Sequence, residues 1–507
     1  MLGLPRLRVA GVLLWVLAAW LAALPSSVSA SGSTRPADLR LEGVLTRAQH
    51  ETYLELPFRV PPGTGRISVV FRHDGAADRT TLDLGLRDPE RFRGWSGGAR
   101  DRVILSDSHA TPGYLPGPLP AGAWALVLGV PNLRPGVTTT YAAEIWLDRD
   151  DAPATFSDVM LREGPGWWRG DLHVHSGHSD GTCRSQKGAT VPCPLFRVVQ
   201  TAADRGLDFV AVTEHNTASQ AQGLLELQPY FDDLLLIPGR ELTTFNGHAN
   251  LLGLTAPLEF RVGSPGAESL DAILARAASL GAVVSINHPR MPSGEVCMGC
   301  GWRGAADVSQ VDAVEVFNGG AMAVFAGRAE SPLSGVAFWE SLLNAGHRLT
   351  AIAGSDSHDP DRPVEAPGAL GRPATVIWAD RLSQDHLMAG LRSGRVFVDL
   401  TPSGLKALDL EARTGDRRAH MGQVLRAPAG ALITFRVTVE GVPEARAHVV
   451  QSGGGGEVLV RAEGADDLTF TRVSDGTRGW LRIDLRDPNG RLLALGNPIY
   501  LNWDDGP

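Results

Sequence analysis

Cysteine is scarce in this chain, with four in 507 residues, and no excess of basic charge balances the acids. A formal net charge of −9 argues against a general nucleic-acid binder, which presents a basic face. It leaves open an anionic substrate at a metal centre, because bound cations can dominate local charge. No apolar run beyond the N-terminus is long enough to span a bilayer. No cysteine follows that N-terminal run, which argues against a lipoprotein anchor. No second CxxC accompanies Cys297-Met298-Gly299-Cys300 and nothing thioredoxin-like surrounds it, so a structural bridge ranks ahead of a zinc half-site or a redox pair.

What is present fits a globular protein: 43% hydrophobic and 20% charged residues. The length predicts about three domains. Arg6 and Arg8 precede an apolar run from Val9 to Leu24 and then Val28-Ser29-Ala30. This pattern predicts a signal peptide over 1–30, cleaved after Ala30; an uncleaved anchor needs about 20 apolar residues. The mature chain is then expected to be exported, periplasmic or secreted, and without a membrane anchor. Export makes Cys183, Cys193, Cys297 and Cys300 disulfide candidates. Three pairings are open, of which Cys183–Cys193 with Cys297–Cys300 is the simplest.

Residues 31–150 alternate in short runs, such as Arg66 to Phe71, Thr81 to Leu86 and Ala123 to Leu128, separated by Gly, Pro and Asp. Period two with turn residues between predicts an antiparallel β-sandwich. Over 166–400 the rhythm changes to apolar runs alternating with helical stretches. Leu207 to Thr213, Leu234 to Ile237, Ala282 to Ile286, Val311 to Phe317 and Leu349 to Ala353 read as strands. Helices are expected over roughly 195–205 and from Ser264-Pro265 to Gly281, the second with Leu270, Ile273, Leu274 and Ala277 on one face. Alternation of this kind predicts an α/β parallel barrel. From 401 to 507 the β rhythm returns and predicts a second β-sandwich-like domain.

The stretch Asp171-Leu-His-Val-His-Ser-Gly-His-Ser-Asp180 concentrates metal-ligand chemistry. His173 and His175, two apart on a strand, project to the same side, with Asp180 on the following turn. Later strands end in similar residues: Glu214-His215, Glu241 with His248, Asn287-His288 and Asp356 with His358. Singly, His248 or His288 reads as a hydrogen-bonded structural histidine, Asp356 as a helix cap and Glu214 as an arginine's partner. Jointly, six histidines and three carboxylates (Asp180, Glu241, Asp356) fall just past strand ends, the face that carries the site in barrels. His178 stays open between a substrate-facing and an exposed residue. His347 precedes its strand, and His50, His73, His109, His386, His420 and His448 read as surface residues.

In order, HVHSGHSDG, TEHN, GREL with GH, NHP and GSDSH resemble the motifs of the polymerase and histidinol phosphatase (PHP) family of metal-dependent hydrolases over about 166–400. The flanking β domains, the signal and the ending Asn497-Pro-Ile-Tyr-Leu501 are similar to its exported, carbaryl-hydrolase-like multidomain branch. The resemblance implies a distorted (β/α)7 TIM-like barrel between N- and C-terminal β-sandwich-like domains, with two or three divalent ions (Zn, Mn or Fe). Carried over by position, His173, His175, Glu241 and Asp356 hold one ion. Glu241 bridges to a second, held by His248 and His288, and Asp180, His215 and His358 hold a third. Some members have His where this chain has Asp180, and Glu214-His215 stands where Asp-His is usual.

The expected activity is metal-assisted hydrolysis of a small-molecule phosphate ester, centred on Glu241, Asp356 and His175, with the ions lowering the pKa of a water. A carbamate, ester or amide hydrolase on the same ions is the rival reading. A non-catalytic scaffold is the other class, which filled ligand positions argue against; no sugar site stands out in the β domains. Arg184, Lys187, Arg240, Arg290 and Arg362 lie near the motifs and read equally as phosphate contacts or surface charges. The loop from Gly181 to Pro194 rises from the first motif and is expected to shape substrate access.

Overall fold

The computed structural model describes residues 35–149, 156, 159–295, 297–304, 307–401, 404–454, 456–459 and 467–504. The expected signal peptide lies outside the described residues. Alternation builds the N-terminal layer pair. In the strand Arg66–His73, Ile67, Val69 and Phe71 are buried while Ser68 and Val70 are only half-buried. That strand lies in a four-stranded antiparallel sheet with Leu39–Leu45, Thr139–Asp148 and Arg102–Ser106. A second antiparallel sheet holds Tyr53–Val60, Gly122–Asn132, Thr81–Arg87 and Phe92–Gly97. One core joins them, with Leu84, Leu86, Trp124 and Leu126 from the second sheet packing among Ile67, Val69 and Ile145 of the first.

The barrel expectation is overturned. The protein is mostly β, 43% strand against 13% helix, and only six α-helices occur among the described residues, too few for a (β/α)7 barrel. Its main element is one mixed sheet of fifteen strands. Phe209–His215 runs parallel to both Met160–Val174 and Leu235–Thr244. The chain then turns back instead of crossing over through a helix. Gly247–Leu252 pairs antiparallel with Leu235–Thr244 and with Val283–Ile286. Parallel pairing resumes through Ala313–Asn318 to Thr350–Gly354. On its other side, Met160–Val174 pairs antiparallel with Ala374–Ser383, which pairs with Val396–Asp399.

At the C-terminus, where a β-sandwich-like domain is expected, the described strands divide between two sheets. Val396–Asp399 is hydrogen-bonded to Leu492–Gly496, so the late strands Gly479–Arg486, Arg446–Gln451 and Val458–Leu459 continue the large sheet. Ala407–Thr414, Arg417–His420, Leu432–Glu440 and Asp467–Val473 form a separate four-stranded antiparallel sheet. The two share a core in which Phe435 and Val437 meet Phe397, Ile483 and Ala494. Apolar runs of four to eight residues announce strands but not their direction, which is how a mixed sheet reads as a parallel one.

The helices cover the sheet with apolar faces, as in Leu270–Ser279, where Leu270, Ile273, Leu274 and Ala277 are buried. Its cap is Ser269, whose side chain accepts from Ala272 N, not Ser264. Ser264 instead opens a turn whose Gly266 has φ +81°, outside the helical region. Disulfides join Cys183 to Cys193 and Cys297 to Cys300. No helix among the described residues is long and apolar enough to cross a membrane.

Candidate metal centre

A bridge between Val174 and Ser357 brings the strand Met160–Val174 against the turn that follows Thr350–Gly354. His175 N donates to Ser357 O (3.0 Å) and Asp356 N to His173 O (2.8 Å), so backbone bonds set the first motif beside the last. Asp356 (φ 53°), His288 (φ 27°) and Asn216 (φ 52°) all adopt left-handed backbone. Such conformations strain a side-chain-bearing residue and cluster at functional sites.

Around this junction the nine side chains gather. His173 Nε2 stands 3.3 Å from both Glu241 Oε1 and Asp356 Oδ1, and His175 Nε2 is 3.2 Å from Asp356 Oδ1 and 3.7 Å from Glu241 Oε2. His248 Nδ1 and His288 Nε2 are each 3.3 Å from Glu241 Oε1. Asp180 Oδ1 lies 3.2 Å from His358 Nε2 and 3.6 Å from His215 Nε2. The resulting donor groups are His173–His175–Asp356, His173–Glu241–His288 and His175–Asp180–His215–His358. Relative to the grouping carried over from the resemblance, His175 also faces the third cluster, and His173 also faces the second. A fourth group, His248–His288–Cys300, includes a sulfur that is bridged to Cys297.

Whether these residues fit ions can be judged from their unused atoms. His173 Nε2, both ring nitrogens of His175, His248 Nδ1, His288 Nδ1 and Glu241 Oε2 are buried and make no hydrogen bond. Leaving a buried polar group unpaired costs about 1–3 kcal/mol, so six together demand an explanation. Donors sharing one ion at about 2.0–2.2 Å stand roughly 3.0–3.6 Å apart. Most of the separations above fall within or just beyond that window, and the residues therefore fit divalent ions.

Behind the ligands sits a layer that orients them. His173 Nδ1 is 2.9 Å from Glu315 Oε1, which turns Nε2 towards the centre. The other Glu315 oxygen accepts from His288 N (2.9 Å) and Asn318 Nδ2 (3.0 Å). Asn287 Nδ2 donates to Glu241 Oε1 (3.0 Å), His215 Nδ1 meets Thr243 Oγ1 (2.7 Å), and His358 Nδ1 donates to Asp356 O (2.9 Å). Glu214 does not reach the centre; it accepts from Ser176 N and from the hydroxyls of Ser176 and Ser179, shaping the first motif's turn. Buried Asp171 accepts from Ser355 N (3.0 Å) and Gly371 N (2.6 Å), and burial raises its carboxyl pKa. Glu315 was missed in the sequence, although a lone acid inside the apolar run Ala313 to Phe317 was a signal for it.

Burial works against charge here and loses. It would raise the Glu241 carboxyl, but the charge of His173 and the close imidazoles of His173, His215 and His248 hold it well below the usual range. Burial likewise opposes His173, yet Asp356, Glu315 and Glu241 raise its pKa well above 6.5. Asp180 is brought down to about 2, burial being outweighed by His358 and the other imidazoles. Without ions the carboxylates draw protons onto His173, His215, His288 and His358, whereas burial lowers His175; metal would take the place of those protons.

The other candidates lie elsewhere. His178 is exposed and its Nδ1 meets Ser219 Oγ (2.8 Å). Arg240 is buried, donates to Ala256 O (3.1 Å) and, adjacent to Glu241 on a strand, projects to the opposite face. Arg184 and Arg362 donate to loop carbonyls. His109 is buried, not a surface residue. The access loop is a short ladder, Thr182–Arg184 with Thr190–Pro192, bridged by Cys183–Cys193, and Thr182 N donates to His358 O (2.7 Å). No protein-family model matches the chain, and no curated protein matches it either.

Proposed function

We propose that this chain is a metal-dependent hydrolase acting outside the cytosol, and that its motif resemblance to the PHP family reflects shared chemistry at the ligands. The observation that carries this reading is the set of buried ring nitrogens without hydrogen bonds that converge on the Glu241 and Asp356 oxygens at 3.2–3.7 Å. Divalent ions held there would lower the pKa of a water towards neutrality and neutralise charge on substrate oxygens. The protein's own part is positional. Glu315 and the Asp356 carbonyl fix the orientations of His173 and His358. Glu241, fully enclosed, faces His173, His248 and His288 at once and would help hold the ions together with those rings.

A phosphate ester is the favoured substrate class, because several contiguous donor groups offer enough cationic charge for a phosphoryl dianion. Two disulfides support a location outside the reducing cytosol. The test is a panel of phosphomonoesters, phosphodiesters, aryl esters and aryl carbamates, run on metal-stripped protein with Zn, Mn or Fe restored. Hydrolysis restored by metal and fastest on a phosphate ester is expected. Preference for carbamates or carboxylic esters would transfer the reading to carbonyl chemistry. Protein that binds two to three ions yet hydrolyses nothing would return it to a scaffold.

A further inference from the structure

The bridged sulfur of Cys300 lies in the same donor group as His248 and His288, with ligand atoms within 4.8 Å of one another. All three side chains are buried. As half of a disulfide that sulfur cannot act as the thiolate that binds metal. The imidazoles beside it are also coupled to the bridge: His248 Nε2 donates to the carbonyl of Met298 (3.2 Å), which lies inside the four-residue loop closed by Cys297 and Cys300. His288 keeps Nδ1 without a hydrogen bond while its Nε2 faces Glu241. His288 therefore has a nitrogen to spare, while His248 turns Nδ1 to Glu241 and holds the loop carbonyl with Nε2.

The loop is seated by more than its bridge. A side chain at Gly299 (φ +78°) would come within 2.1 Å of Thr244 O, Trp302 packs against Gly247, and Arg303 N donates to Asn246 O (2.8 Å). These contacts hold Cys300 near the two histidines after the bridge opens. Cys297 is partly exposed and Cys300 is not. A dithiol reductant would thus attack Cys297 Sγ, breaking the S–S bond and leaving the electron pair on Cys300 as a thiolate. Its second thiol then displaces Cys297, so the cystine gains two electrons, the reductant becomes a disulfide, and its two protons go to the released thiol and to solvent.

We propose that the Cys297–Cys300 bridge is a redox gate on a second ligand set: once it is reduced, the Cys300 thiolate joins His248 and His288 as a three-donor site for a borderline-soft divalent ion such as zinc. This rests on reading the centre as a metal site. Thiolate and imidazole together favour zinc over manganese, so the gate would alter which ion the centre retains. Oxidised, the imidazoles serve Glu241 alone.

Cobalt(II) is the probe, because a thiolate ligand adds a sulfur-to-metal charge-transfer absorption that nitrogen and oxygen ligands do not. Full-length metal-stripped protein is loaded with cobalt as wild type, Cys297→Ser and Cys300→Ser, with and without dithiothreitol. The band is expected in Cys297→Ser without reductant, where Cys183–Cys193 stays intact, and in wild type only after reduction. It should be missing from Cys300→Ser in both conditions, which also controls for thiols released from Cys183–Cys193. Circular dichroism checks the fold, and reduced wild type serves if Cys297→Ser fails to fold. Cobalt bound without the band in a folded form with Cys300 free overturns the gate and leaves the hydrolase reading standing. A band in reduced Cys300→Ser likewise overturns it. Wild type that binds no cobalt overturns the metal centre itself, and the gate with it.

Discussion

His109 and His173 are both buried histidines, one in the N-terminal β layers and one among the strand ends of the large sheet, and their surroundings drive them in opposite directions. Burial, helped by the charge of Arg66, lowers His109 to about 4. Its ring sits between the Ser106 and Ser108 hydroxyls and 5.8 Å from the Phe156 ring. Burial opposes charge at His173 as well, but three carboxylates reverse the outcome. Enclosure alone makes a neutral, structural histidine. Enclosure with acids makes a place where a cation, proton or metal, has to reside.

The strongest way to break this contrast is to remove the acid that most of the rings share. Glu241→Gln keeps the volume and takes away the charge facing His173, His248 and His288. Elemental analysis should show at least one ion per chain lost, and hydrolysis of the best panel substrate should fall on the order of 10³-fold. A Gln variant with full metal content and rate would leave Glu241 a structural acid.

The N-terminal histidine gives the opposite test, through stability and without metal. Its folded-state pKa of about 4 lies below the ordinary 6.5, so the neutral form is the one the fold accommodates. Its contribution is intact above pH 6.5, declines as pH falls and is lost by about 4; at most this is about 3 kcal/mol. In urea titrations across that window, wild type should lose stability more steeply than His109→Gln. Parallel slopes would mean that His109 accepts a proton inside the fold, and the contrast with His173 would disappear.

How far the sequence could be read follows the same division. The ends of apolar runs at Glu214-His215, Asn287-His288 and Asp356-Ser-His358 marked where donors would sit, because strands stop where polar residues begin. Direction was invisible. His-Ala-Asn-Leu-Leu over 248–252 is as apolar as a parallel strand, and only its hairpin with Leu235–Thr244 reveals the reversal that rules out a barrel. The direction of Ala374–Ser383 is equally hidden, since antiparallel pairing to Met160–Val174 depends on a partner some 200 positions away in the chain. Partners of ligands were hidden for a related reason: Glu315 matters through His173, 142 positions before it, and no local pattern encodes that meeting.

Glu315 sharpens the contrast from behind the ligands. A neutral amide still bonds His173 Nδ1 but no longer polarises the ring or complements it electrostatically. Glu315→Gln should keep the fold by circular dichroism and weaken metal affinity by roughly 10–100-fold, the usual cost of altering a ligand's hydrogen-bonded carboxylate. Competition with a chelator measures it; unchanged affinity would demote Glu315 to packing around Asn318 and His288.

The smallest expected effect lies inside the first motif, where histidine identity and ligand role separate. His173 and His175 are enclosed and surrounded by carboxylates, whereas His178, three residues on, is exposed and bonded to Ser219. An exposed hydrogen bond of this kind contributes little, so His178→Ala should retain all its metal and change the rate by less than about threefold. A selective rise in KM with kcat preserved would make His178 a substrate contact beside the centre. Loss of an ion would place it among the ligands, and neither exposure nor distance from carboxylates could then separate ligand from bystander in this motif.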